Sequence, residues 1–196
     1  PTILCAPDGR IFLFWAQSNA RDEEENGVRR IFDGTAGVWF SILENPDAPA
    51  CDFRFSPCQR ICDGIMMNKP AILNDGTWAL PVSVWNFPDF FTDVPNYSPG
   101  TRMYTSTDNG KTFHFRGEVK LPADKTNFDE HSIYQLQDGR LAMVASGFRL
   151  THRCPFGKVV GCISDDEGKT WSKPAVIIDT PLDDRDAGIL PFGENS

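Results

Sequence analysis

The chain has 196 residues, a net charge of −8, 40% hydrophobic and 12% aromatic residues, and six cysteines. That length supports one domain with a sizeable core, and an acidic chain without a basic stripe is a poor partner for nucleic acid. No apolar run approaches the ~18 residues of a helical membrane span, and the 15 prolines and 16 glycines fall singly between short apolar runs, the mark of many turns.

The chain opens inside a strand-like segment, Thr2-Ile3-Leu4-Cys5, and reads as a processed chain or a fragment. Residues 2–4 and 11–16 flank Asp8-Gly9, a hairpin signal. Residues 17–35 are predicted as a long loop, whose charged stretch is too short and unpatterned for a helix and reads as solvated. Residues 38–41 predict a weak third strand, with Leu43 where a turn aspartate would stand. Residues 56–68 are predicted as loop, in a region holding Cys51, Cys58 and Cys62. Cys154 and Cys162 flank a short segment further on. With no C-x-x-C pair a zinc site is not expected, and free thiols and one or two disulfides are both open.

The hairpin pattern returns twice. Residues 70–73 and 78–85 flank Asp75-Gly76, and residues 132–136 and 141–145 flank Asp138-Gly139. After each comes a third strand, 102–106 and 159–164, that runs into a near-identical octet. Ser106-Thr107-Asp108-Asn109-Gly110-Lys111-Thr112-Phe113 and Ser164-Asp165-Asp166-Glu167-Gly168-Lys169-Thr170-Trp171 lie 58 residues apart. A fourth strand is predicted from Phe113 and from Trp171. Residues 187–190 resemble the first strand of another unit. Four-stranded units at this period predict an all-β, β-propeller architecture. In S-x-D-x-G-K-T-aromatic the Asp accepts from turn amides and hydroxyls, the Gly allows a positive φ, and the aromatic ring packs between sheets. The expected role of the octet is structural.

These octets are similar to Asp boxes (BNR repeats), and the chain resembles the sialidase superfamily of six-bladed β-propellers. The resemblance covers nearly the whole chain as a single partial propeller domain: blades at about 1–60, 65–120 and 129–180, and the start of a fourth at 186–196. Residues 129–141, Asp129-Glu130-His131-Ser132 onward, are similar to the sialidase segment in which a Glu opens a first strand. The match implies that Glu130 is the Glu that activates a tyrosine nucleophile. Residues 63–70, from Asp63 to Pro70, resemble a segment of bacterial sialidase-like proteins, and Arg185-Asp186 has a similar character. Two positions where the family carries substrate arginines hold Lys69 and Ser146 here, so the resemblance implies a glycosidic substrate other than sialic acid. It implies no cofactor and no metal.

Strand alternation puts the Asp-Gly turns and the octets at one end of each sheet and the long connections at the other. Residues just before each first strand therefore converge at the long-loop end. They are Asp63, Asn68 and Lys69; then Asp129, Glu130 and His131; then Arg185 and Asp186. Glu130 and Asp63 are the catalytic candidates, since glycoside hydrolysis needs one carboxyl as acid and another group as base or nucleophile. Lys69, Asn68, Asp129, His131, Arg149, Arg185, Asp186, Phe90 and Tyr97 are the substrate-binding candidates; the aromatic loop 86–100 would stack on sugar. Each has a plainer reading. Asp63 can cap a turn, Lys69 can be a solvated charge, His131 can be a hydrogen-bonded strand residue, and Arg185 and Asp186 can pair with each other. The expected function is exo-acting, sialidase-like glycoside hydrolysis of a terminal sugar on a complex glycan. The alternative is a non-catalytic carbohydrate-binding or interaction propeller. Expected partners are the glycan and either further blades of the parent propeller or a second copy; nucleic acid and membrane are not.

Overall fold

A computed structural model of the protein describes residues 1–23, 27–31, 34–85, 97–119, 130–147, 158–181 and 184, and side chains within these except at 20–33 and 147. The chain forms two compact units, Pro1–Lys69 with Phe87–Ser98, and Pro70–Asn86 with Pro99–Ser196.

In the first unit, β1 (Thr2–Cys5), β2 (Ile11–Gln17), β5 (Gly37–Leu43) and β6 (Gln59–Cys62) form an antiparallel sheet in that order. Alternation along β2 buries Phe12 and Phe14, and their rings stack with each other and with Phe40 of β5 at centroid separations of 5.8–6.0 Å. Two sequence expectations fail here. The loop predicted at 17–35 holds a hairpin, β3 (Asn19–Glu23) paired with β4 (Gly27–Ile31). The loop predicted at 56–68 contains the fourth strand of the sheet, β6, so Cys62 is a buried strand residue. Cys5, Cys51, Cys58, Cys62 and Cys162 are all free thiols.

The second unit contains two further antiparallel sheets. One orders β7 (Ala71–Ile72), β8 (Trp78–Val84), β9 (Gly100–Ser106) and β10 (His114–Val119) consecutively. The other does the same with β11 (Ser132–Gln135), β12 (Leu141–Gly147), β13 (Lys158–Ser164) and β14 (Ala175–Ile178). Consecutive four-stranded meanders are propeller blades. A shared core of Leu73, Ala79, Met103, Val119, Ile133, Leu141, Met143 and Cys162 lies between the two blades, with Trp171 packed against it. Burial pushes the Cys162 thiol up to about 11. Among the described residues the only helical element is the short 3₁₀ turn Ala50–Asp52.

The strand register aligns the three blades. Ile11, Trp78 and Leu141 open their second strands and pair with Leu43, Ser106 and Ser164 of their third strands. Leu43 therefore occupies the position of the octet serine, and Asn45 occupies that of the octet aspartate. This corrects the sequence alignment, which set Leu43 against the aspartate.

In the complete octets Asp108 Oδ1 accepts from the amides of Lys111 (3.0 Å) and Thr112 (2.9 Å), and its Oδ2 accepts from the Thr112 hydroxyl (2.6 Å). Asp166 repeats the Thr bonds with Thr170 at 2.9 and 2.7 Å. The buried hydroxyls of Ser106 and Ser164 donate to these carboxylates and accept from the amides of Gly110 and Gly168. In the first blade Asn45 does the equivalent work as an amide. It accepts from the Arg54 amide at 2.7 Å and donates to the Asp52 carbonyl at 2.9 Å.

The third-blade octet also docks on the second blade. A Cβ on Gly117 would lie 2.2 Å from the Gly168 carbonyl oxygen, so only glycine permits this approach. A bulge between Phe115 and Gly117 leaves Arg116 out of the ladder and turns it toward Glu167. Its guanidinium bonds the Glu167 carbonyl at 3.0 Å and the carboxylate at 2.5 Å.

Candidate functional site

The antiparallel order puts the Asp-Gly turns and the octets at one end of each sheet. First strands begin at the other end, where Ser132 at the head of β11 pairs with Val144 near the close of β12. Glu130, partly buried, leads into β11 from that end.

Its neighbour His131 is what holds the strand start. The ring is 1% exposed. Nε2 lies 2.9 Å from the Arg102 carbonyl of β9, and Nδ1 lies 3.1 Å from Ser83 Oγ of β8. A carbonyl can only accept, so Nε2 carries the proton and donates, and in the neutral ring Nδ1 accepts from the Ser83 hydroxyl. His131 thus clamps the head of the third blade to two strands of the second. With both ring nitrogens engaged and the side chain buried, it positions its neighbour and does not present itself to a ligand. Burial withdraws it from the group of substrate-contacting candidates.

Asp63 is committed elsewhere as well. It pairs with the Arg60 guanidinium, which also donates to the Ala36 carbonyl at 2.7 and 3.0 Å. The Arg60 bridge knits β6 to the start of β5 and fixes the Asp63 carboxylate at the close of the sheet. Its setting is that of a structural ion pair. Asn68 is partly buried and Lys69 exposed, both just ahead of β7; Tyr97 is partly buried, three residues before β9. Asp129, Arg149, Arg185, Asp186 and Phe90 lie outside the described residues.

Sequence reasoning missed three residues that matter here: Ser83, Arg102 and Arg60. Ser83 had a signal, because it is the only side chain with a hydroxyl in the wholly buried strand Trp78–Val84. A buried hydroxyl in such a strand needs a partner. Arg102 acts through its carbonyl, which no side-chain pattern reveals.

No family model and no curated protein matches this chain. Several solved structures share its fold. A protein of unknown function from Dyadobacter fermentans superposes with a TM-score of 0.62 at 15% identity, over 89% of this chain and 49% of that one. A Trypanosoma rangeli sialidase in complex with the inhibitor DANA gives 0.54 at 14% identity, over 83% of this chain and 26% of that one. A Penicillium chrysogenum α-L-arabinanase complexed with arabinobiose gives 0.50 at 14% identity, over 92% and 49%. The chain thus spans about half the length of the first of these and a quarter of the sialidase. Its fold is a partial β-propeller of the sialidase type, an architecture that glycoside hydrolases use.

Proposed function

We propose that the protein is an exo-acting glycoside hydrolase that removes a terminal sugar from a glycan, with Glu130 as its essential carboxylate. The observation that carries this reading is the seat of Glu130. It stands at the head of a first strand, next to a buried histidine clamped between two blades. Such an anchor fixes the backbone from which the carboxylate projects, and catalytic carboxylates need that positional precision. Glu130 would take the proton from an attacking hydroxyl while a second group protonates the departing sugar oxygen. The octets, which are Asp boxes on this reading, brace the scaffold at the far end. Asn68, Lys69 and Tyr97 would meet substrate, joined by Asp129, Arg149, Arg185, Asp186 and Phe90. Further blades, or a second copy of the chain, would supply the remaining groups and complete the ring.

A panel of aryl glycosides tests this with the intact protein. Turnover of at least one substrate, falling by about 10²–10⁴ in kcat in Glu130→Gln with the fold intact, is the expected result. A Glu130→Gln variant as active as its parent would remove Glu130 from the chemistry. A second reading, a carbohydrate-binding propeller without turnover, is favoured by one observation, the capture of the Asp63 carboxylate by Arg60. Saturable glycan binding with no hydrolysis of any substrate would select it.

A further inference from the structure

Between the second and third blades, at the octet end and away from Glu130, lies a cleft of about 210 Å³. At roughly 30 Å³ per water it holds the equivalent of about seven waters, room for one sugar ring. Its floor is apolar: Leu73, Met103 and Leu141. Its walls change character along one face of β9. Met103 and Thr105, two residues apart, share that face, and Thr107 joins them from the turn just beyond the strand. Met103 is fully buried in the interblade core, and beyond it packing gives way to hydroxyls. Thr77, at the head of β8, adds a third.

None of these three hydroxyls has a hydrogen-bond partner among the described residues. Thr105 is the telling case, because its side chain is on a residue only 9% exposed and lines the cleft. A valine would satisfy the strand equally, whereas this hydroxyl has no protein partner among the described residues and lines the cleft. The charges sort the ligand further. Arg116 is neutralised by Glu167, while Asp75 has no cationic partner among the described residues. One Asp75 oxygen accepts from the Thr77 amide at 2.9 Å, which leaves the other open to the cleft. The cleft is therefore net acidic and repels anions.

We infer that this interblade cleft is a second binding site, for a neutral, hydroxyl-rich ligand the size of one sugar ring. The three threonine hydroxyls and Asp75 bond the ligand's hydroxyls, and its carbon face lies over Leu73, beneath which Met103 and Leu141 close the floor. The site is separate from Glu130 and would serve to hold a glycan without cleaving it.

Backbone-amide NMR titration of the protein with D-glucose, D-galactose and L-arabinose tests the assignment, with sialic acid as the anionic probe. At least one neutral sugar should shift the amides of Thr77, Thr105 and Thr107 saturably, with a dissociation constant on the order of millimolar for so small a ligand. Sialic acid should leave them unmoved. Thr105→Val should weaken binding by about fivefold through one lost hydrogen bond. Thr107→Val, at an exposed position where folding is not at stake, should do the same. Absence of shifts with all three neutral sugars, equal binding of sialic acid, or parental affinity in both valine variants would overturn the assignment.

Discussion

Asp108 and Asp166 show how much turn chemistry one carboxylate can organise. Hydroxyl and amide bonds from Thr112 hold the Asp108 carboxyl well below the usual carboxylate range. The amide and hydroxyl of Thr170 bring Asp166 down to about 2. A lowered folded-state value means that the unfolded chain binds the proton more readily, so the stability these groups add is complete above about pH 4 and lost as pH falls towards 2. The thermal midpoint should drop between pH 4 and pH 2, and Asp166→Asn, which removes one of the two titrations, should flatten that drop. Acid limbs of identical slope in parent and variant, measured by thermal melts, would refute the assignment. Asn45 is the natural precedent, an uncharged amide at the same position of the first blade. The octets were legible in the sequence because their bonds join neighbours along the chain. Asn45 was not, because its equivalence rests on the pairing of Ile11 with Leu43 across the sheet.

At the scale of elements, the junction of β10 with the third-blade octet is a tight backbone-to-backbone seam. Gly117 faces the Gly168 and Lys169 carbonyls, which are backbone atoms and cannot swing aside as a side chain could. Gly117→Ala should therefore destabilise by about 1–3 kcal/mol through overpacking, read in denaturant unfolding. An alanine variant as stable as its parent would show that the blades separate at little cost. The meander of each blade was legible from Asp-Gly turns between apolar runs, and so was the separation of the two ends of each sheet. The hairpin β3–β4 was not, since its charged strands carry none of the apolar alternation that marks a half-buried sheet. Nor was the clamp on His131, because a histidine reads alike whether it is buried or exposed until its partners are known. The neighbours Ser83 and Arg102 come from strands far away in the chain.

For the whole molecule, the third blade ends, among the described residues, on an edge strand with apolar side chains in water. Val176, Ile177 and Ile178 are each about half exposed. Consecutive β-branched residues on an open edge invite pairing with another strand. On the proposal that more blades or a second copy complete the ring, they are what the next surface covers. Light scattering of the 196-residue chain should show association that Ile177→Lys reduces. A dispersed monomer at high concentration would count against that proposal. Phe12 and Phe14, apolar on the first blade, take no part, being already buried.

The free thiols have a consequence for kinetics. Cys62 is buried in the first compact unit and Cys162 in the second, while Cys5, Cys51 and Cys58 stand exposed. Alkylation needs a solvent-reached thiolate, which burial denies and which the raised Cys162 value makes scarcer still. Each unit therefore carries its own latent clock: a thiol that stays silent while its blade is shut and is consumed at the rate at which that blade opens.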